Sequence, residues 1–274
     1  MPELPEVETI AASLRRRIVG WKIDKIEVFL PKLLRKTDVA GLRKFKGKKI
    51  IGLRRRGKLL LIACENDLFL LFHLKMTGQF HWTIAGAARE THTHLRISFK
   101  GRRRELCYRD VRKFGFLRCL ATPSPLDCEE LRALGPEPLE MDGRRFPDLI
   151  GRRKGRLKSL LLNQSFLAGI GNIYADEILF ESGLQPLTSA SSLAGKDVRR
   201  LWNAIQKILM RAVAAGGSSI RDYKNADGLD GHFQFYHKVY GREGLPCSRC
   251  GSPIERLAIG GRSSFFCPRC QRKK

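Results

Sequence analysis

Two groups of residues in this chain could do chemistry. The first is the N-terminal run Met1-Pro2-Glu3-Leu4-Pro5-Glu6-Val7-Glu8. Removal of an initiator Met before a small residue is common and would leave Pro2 with a free secondary amine. An α-amino group has a reference pKa of about 7.7–8.0, far below lysine, so a useful fraction is neutral at pH 7. A neutral amine can attack an electrophilic carbon and form an iminium. Glu3 is adjacent and could shuttle protons, with Glu6 and Glu8 close by. The same residues also suit an ordinary helix start, where acids complement the dipole and Pro fits the first turn. On these residues alone both readings stay open. The second group is Cys247-x2-Cys250, sixteen residues, then Cys267-x2-Cys270. Two tight pairs at that separation match a tetrahedral thiolate site for one Zn²⁺ per chain. Four thiolates leave no open position for water, so this zinc is expected to be structural. A disulfide reading is weaker, because nothing indicates secretion. The remaining Cys64, Cys107, Cys119 and Cys128 follow no pattern and are expected to be buried thiols.

The elements that must position these groups are legible in outline. Val7, Ile10, Ala11, Leu14 and Ile18 mark one face of a helix over residues 3–19, with Gly20 as its stop. From Trp21 to about Leu120 short apolar or alternating segments recur: KIDKIEVFL, KKIIGLRRR, KLLLIAC, LFLLFHL, HLRISF, ELCYRD and FGFLRCL. Turn formers such as Asn66-Asp67 and Lys100-Gly101 separate them, which predicts an antiparallel sandwich or barrel. Pro123, Pro125, Pro136, Pro138 and Pro147 mark the best boundary. Beyond it residues 156–183 and 189–215 read helical, the first interrupted at Ala168-Gly169-Ile170-Gly171; the polar 218–235 stretch reads as a loop. The expected class is α+β and multidomain. An N-terminal helix and antiparallel β-sandwich would span 1–130, and a helical domain with a helix–two-turns–helix 131–235. A four-Cys zinc-finger β-hairpin would span 236–274.

Charge narrows the partner. Lys plus Arg number 52 and Asp plus Glu 27, so the net charge is 52 − 27 = +25. Residues 43–58 hold nine cations and no acid; residues 152–158 hold five and no acid; residues 245–274 hold seven against Glu255 alone. One such run is usually a solvated face, but three on different segments point to phosphate neutralisation. A membrane surface would ask for a basic amphipathic helix, and these runs lie on strands, turns and the cysteine module. No run of about 18 apolar residues is present, so no membrane span is expected. The acidic N-terminus has no secretory signal pattern. A cytoplasmic, nucleoid-associated monomer is expected.

Several motifs in order carry a family resemblance: MPELPEVE, Lys58 in RRGKLLL, HLKMTGQF at 73–80, RDVRKFG at 109–115, AGIGNIYADE at 168–177, and GGRSSFFCPRCQ within the four-Cys module. Together they resemble bacterial formamidopyrimidine-DNA glycosylase over residues 2 to 271. The sibling endonuclease-eight branch usually begins PEGPE, so Leu4 favours the branch acting on oxidised purines. The resemblance implies base excision from damaged double-stranded DNA followed by strand nicking. It makes Pro2 the nucleophile that holds the sugar as a Schiff base, Glu3 the proton donor and Glu6 a member of the same site. Lys58 would contact phosphate and serve β-elimination; Arg262, on the zinc hairpin, would grip phosphate and assist δ-elimination. Asn172 would meet phosphate at a helix start, where it equally suits a plain N-cap. Met76, Arg112 and Phe114 would fill the gap left by an extruded nucleotide. His73, His92 and Arg153 would be further DNA contacts, although the THTH pair around His92 also fits one solvated strand face. The 216–228 stretch lies where the family reads the extruded base.

Two other readings share part of this pattern. A non-enzymatic zinc-module nucleic-acid binder would need the charge and the cysteines but not Pro2-Glu3, Asn172 and Arg262 together. An endonuclease-eight-type enzyme would run the same chemistry on oxidised pyrimidines.

Overall fold

The structure, a computed structural model, describes residues 1–37, 39–220 and 223–272. It divides into two compact units. One is Met1–Arg132 with Gly216–His232; the other is Ala133–Ala215 with Phe233–Lys274.

The first unit opens with α1 (Leu4–Ile18), whose buried face includes Val7, Ile10, Ala11, Leu14 and Ile18. Eight strands follow: β1 (Ile23–Val28), β2 (Ile50–Arg56), β3 (Leu59–Cys64), β4 (Leu68–His73), β5 (Gly78–Ile84), β6 (Thr93–Phe99), β7 (Arg104–Asp110) and β8 (Phe116–Ala121). Short helices α2 (Val39–Arg43) and α3 (Glu129–Arg132) complete the unit. The strands form two four-stranded antiparallel sheets, ordered β1-β6-β7-β5 and β2-β3-β4-β8. Leu60, Ile62, Leu70 and Phe72 of the second sheet share one buried cluster with Phe80, Leu95, Ile97, Leu106 and Tyr108 of the first, joined by the apolar face of α1. Burying one such side chain contributes about 1.5–3 kcal/mol, so this cluster fixes the sandwich. Seven of the eight strands fall on the segments expected from sequence. β5 is not among them, although Phe80 and Trp82 alternate with Gln79, His81 and Thr83 as a half-buried strand requires.

The second unit holds α4 (Phe146–Gly151), α5 (Leu157–Leu162), α6 (Asn172–Ser182), α7 (Gly195–Ala214) and the hairpin β9 (Glu255–Ile259)–β10 (Arg262–Phe266). The α5–α6 turn is held by one side chain. Gln164 Nε2 donates to the carbonyls of Leu162 (3.0 Å) and Ile170 (2.8 Å), and its Oε1 accepts from Gly169 N (2.9 Å). Residues 216–232, expected with the helical domain, group instead with the N-terminal unit, because their polar groups bond to α1, as described below. Among the described residues no helix is long and apolar enough to cross a membrane.

Candidate active site and nucleic-acid interface

Pro2 and Glu3 precede α1 and both are buried, as is Glu6 in its first turn. Glu6 uses both carboxylate oxygens on backbone: Oε2 accepts from Glu3 N (2.7 Å) and Oε1 from Ser218 N (2.8 Å). Tyr223 Oη donates to the Glu6 carbonyl (3.2 Å). Further along α1, Asp227 accepts from Ser13 Oγ (2.8 Å) and pairs with Arg17 (2.6 Å). The N-terminal segment and the 216–232 segment are therefore stitched to one helix by two carboxylates. Buried amides that meet carboxylates form strong, charge-assisted bonds. Glu6 is thus a clamp on the residues flanking it, a geometry that leaves Pro2 and Glu3 fixed rather than frayed.

Lys58 sits in the two-residue turn between β2 and β3 and is buried. That turn closes the sheet end where Leu59 faces His73 and His73 faces Phe116. His73 Nδ1 accepts from Lys75 N (2.9 Å). Burial, then the cations Lys75, Lys58 and Arg35, push its pKa down to about 3, so the ring is neutral at physiological pH.

Met76, Arg112 and Phe114 come together on the surface. Arg112 Nη1 lies 2.9 Å from Met76 Sδ, and its guanidinium stacks 4.8 Å from the centre of the Phe114 ring. Met76 is 42% and Phe114 53% exposed, so neither is a core residue. The stack rests on Asp110, which is buried. Asp110 Oδ2 accepts from Gly115 N (2.7 Å), and Oδ1 meets Thr77 Oγ1 and Arg112 N (3.3 Å). A Cβ on Gly115 would lie 1.8 Å from Tyr108 Oη, so the loop can pass there only as glycine. His92 is half-buried at φ +66°, and its carbonyl accepts from Asp110 N (3.0 Å). His94 does not lie on a solvated face as the THTH pattern allowed: it is buried, with Nε2 2.8 Å from the Asp110 carbonyl. Phe114→Ala is expected to leave the melting temperature near that of the parent protein while weakening excision of a lesion stacked in stable duplex. Nicking at a preformed abasic site should change far less. A core residue would instead cost about 2–5 kcal/mol of stability and depress both activities together.

In the second unit Asn172 opens α6, and its Nδ2 donates to the Ser263 carbonyl on β10 (2.9 Å). Its Oδ1 is buried without a partner among the described residues. Asn172 does not cap its helix: Gly171 holds the N-cap position with no side-chain cap, and the Asn172 amide instead ties α6 to the hairpin. Arg262 is exposed at the first position of β10. It follows the two-residue turn Gly260-Gly261, whose φ values of +56° and +73° match a type I′ hairpin. Arg153 is half-buried, with its guanidinium 5.8 Å from the Phe166 ring.

Two acids that sequence reading did not single out hold this unit. Asp176, fully buried, pairs with buried Lys158 (2.6 Å) and accepts from Phe265 N on β10 (3.1 Å). Lys158 Nζ also donates to the Asn172 carbonyl (3.0 Å). Burial pushes the Asp176 carboxyl up, against the pull of Lys158 and the Phe265 amide. Removing one partner of such a pair costs about 3–5 kcal/mol, so it fixes the helix start against the hairpin. Glu177 accepts from three successive amides, Lys238, Val239 and Tyr240 (2.9–3.1 Å), and anchors the chain leading into the cysteine module.

The four thiols Cys247, Cys250, Cys267 and Cys270 lie within 4.8 Å of one another. Cys247 Sγ is 3.9 Å from Cys270 Sγ, and Cys250 Sγ is 3.5 Å from Cys267 Sγ. A zinc–sulfur bond of about 2.3 Å puts tetrahedral sulfurs about 3.8 Å apart, so the donor set fits one structural Zn²⁺. Cys64, Cys107 and Cys128 are buried and Cys119 is half-buried; none of the four is in a disulfide.

Comparison with known proteins agrees along the whole chain. Residues 1–117 match the formamidopyrimidine-DNA glycosylase N-terminal domain, residues 134–224 its H2TH domain, and residues 244–272 the zinc finger found in FPG and IleRS. The formamidopyrimidine-DNA glycosylase of Solibacter usitatus is 42% identical over 274 residues, covering all of both chains. That of Geobacillus kaustophilus is 42% identical over 278 residues, covering 99% of this chain and all of its own. Two solved structures cover 99% of this chain and all of theirs at 38% identity. They are a substituted Lactococcus lactis FPG with a Fapy-dG containing DNA (TM-score 0.93) and MutM with carbocyclic 8-oxo-G containing DNA (TM-score 0.92).

Proposed function

The chain belongs to the formamidopyrimidine-DNA glycosylase family, and on that footing we propose that it excises oxidised purines from duplex DNA and nicks the strand through its N-terminal amine. The observation that carries the reading is the exposed Met76–Arg112–Phe114 stack, held out in solvent by buried Asp110. Such a built projection serves a duplex from which a base has been extruded.

The chemistry follows from what each residue can do. With Met1 removed, Pro2 carries a secondary amine; its neutral form attacks the sugar's C1′, the base departs, and an iminium joins protein and sugar. Glu3 supplies the proton that opens the sugar ring. Glu6 keeps Pro2 and Glu3 in place through its bond to Glu3 N. Lys58 contacts phosphate and serves β-elimination, and Arg262 grips phosphate and assists δ-elimination. Asn172, His73, His92, Arg112 and Arg153 meet the DNA. The iminium is later hydrolysed, returning the amine. The zinc sets the fold of the hairpin that carries Arg262 and takes no part in bond breaking. The cytoplasm, on the nucleoid, is where this substrate and four cysteines outside any disulfide suit the protein.

The test is a duplex with one 8-oxoguanine beside a duplex with one oxidised pyrimidine. Base release and nicking should favour the purine. A preference for the pyrimidine would move the chain to the endonuclease-eight reading, and binding without release would make it a non-enzymatic DNA-binding protein.

A further inference from the structure

The nine cations of residues 43–58 do not form one patch. Strand β2 runs through them, and its register separates the two halves. Arg54, Arg55, Arg56 and Lys58 lie toward the sheet end shared with His73. Lys46, Lys48 and Lys49 precede Ile50 at the other end, where Ile50 faces Cys64. The seven residues of β2 separate the ends by about 20 Å. The first sheet has the same polarity. Thr93 faces Arg109 beside the Asp110 loop, whereas Phe99 faces Ile23 at the far end.

The far ends of the two sheets meet. Lys22 bridges Lys49, Ile23 N donates to the Lys48 carbonyl (2.9 Å), and Lys100 N donates to the Lys22 carbonyl (2.9 Å). Backbone bonds thus gather Lys22, Lys46, Lys49, Lys100 and Arg102 on one exposed pole of the sandwich. Arg102 is fixed there by stacking 4.5 Å from the Trp21 ring. The acids at this pole are Asp24, Glu65 and Asp67; Glu65 is engaged by the Lys49 backbone amide (2.9 Å). Among the described residues none of Lys22, Lys46, Lys49 and Lys100 forms an ion pair. A duplex lying on the Met76–Arg112–Phe114 end cannot neutralise charges a strand's length away on the opposite end.

We infer that this pole is a second, sequence-independent site for the phosphate backbone of a separate DNA segment, so that one molecule can hold two duplexes and pass between them. The ligand class follows from the proposed DNA-repair reading. The exposed, dispersed array of four lysines and Arg102 suits a polyphosphate backbone better than a single acidic side chain. Its service to a DNA enzyme is transfer: a second duplex is captured before the first is released.

The full-length zinc-loaded protein is first saturated with a short duplex carrying a stable abasic-site analogue. A fluorescent undamaged duplex is then titrated in at low salt, and ternary complexes are read by sedimentation and anisotropy. The parent protein should capture the second duplex, and its release from a first duplex should accelerate with competitor concentration. Charge reversal at Lys46, Lys49, Lys100 and Arg102 should weaken second-duplex capture by at least about tenfold, with the log–log salt slope falling by roughly 0.9 per lost contact. The Gln-substituted set, which avoids buried strain and charge reversal, should show a smaller loss in the same direction. Nicking of a single short lesion duplex should stay within about twofold of the parent, which separates this site from the proposed catalytic function. One duplex per protein with competitor-independent release would overturn the inference. So would equal loss of lesion nicking in the variants, or capture of polyglutamate in place of the second duplex.

Discussion

Glu3→Gln is expected to cut release of 8-oxoguanine from intact duplex by about 10²–10⁴-fold, the range for removing a positioned proton donor. Gln keeps the size and polar shape of Glu but has no proton to give. Glu3 is buried, so the substitution removes its acid function at a position that bulk water does not readily replace. Its backbone amide, which bonds Glu6, is untouched, so the N-terminal clamp survives. DNA affinity should therefore remain within a few-fold. A preformed abasic site has no base to release, and its nicking should fall less. Base release at parent levels would remove Glu3 from the reaction. Loss of DNA binding and stability in step with activity would assign it a structural part in α1.

Cys247→Ser or removal of zinc by a chelator is expected to abolish DNA binding. The cysteine module has a small core: Cys247, Ile254 and Cys267 pack with Phe180 and Val239. Structural zinc contributes about 10–16 kcal/mol in isolated finger peptides, so the β9–β10 hairpin cannot hold its shape without it. Arg262 then loses its fixed position, and Asn172 and Asp176 lose their partners on β10. The loss should reach lesion, abasic and undamaged duplexes alike, unlike that from Glu3→Gln. Metal analysis should find one zinc per parent chain. Zinc-free protein that binds and nicks normally would contradict the assignment.

These two expectations draw on features legible in the sequence to different degrees. The face of α1, seven of the strands and the two cysteine pairs have local spacing, and spacing is what one chain displays. The residues that lock the site in place have none. Glu6 meets Ser218 and Asp227 meets Ser13 across more than 200 positions. Asp110, Asp176 and Glu177 are acids consumed by backbone amides or a buried lysine, and in sequence they resemble any surface acid. Residues 216–232 share this cause: their polarity reads as a loop of the helical part, whereas their hydrogen bonds tie them to α1. Charge runs misled in another way. Residues 43–58 read as one cluster because the sequence does not show that a strand carries its two halves to opposite ends of a sheet.

The proposed nucleophile is the amine of Pro2. Borohydride added during turnover on an 8-oxoguanine duplex reduces the imine to a stable amine and fixes protein to DNA. Digestion and mass spectrometry of the adduct should place the sugar remnant on residue 2 of a chain that has lost Met1. A remnant on Lys58, or on any other lysine, or the absence of a trapped species during active nicking, would contradict the account.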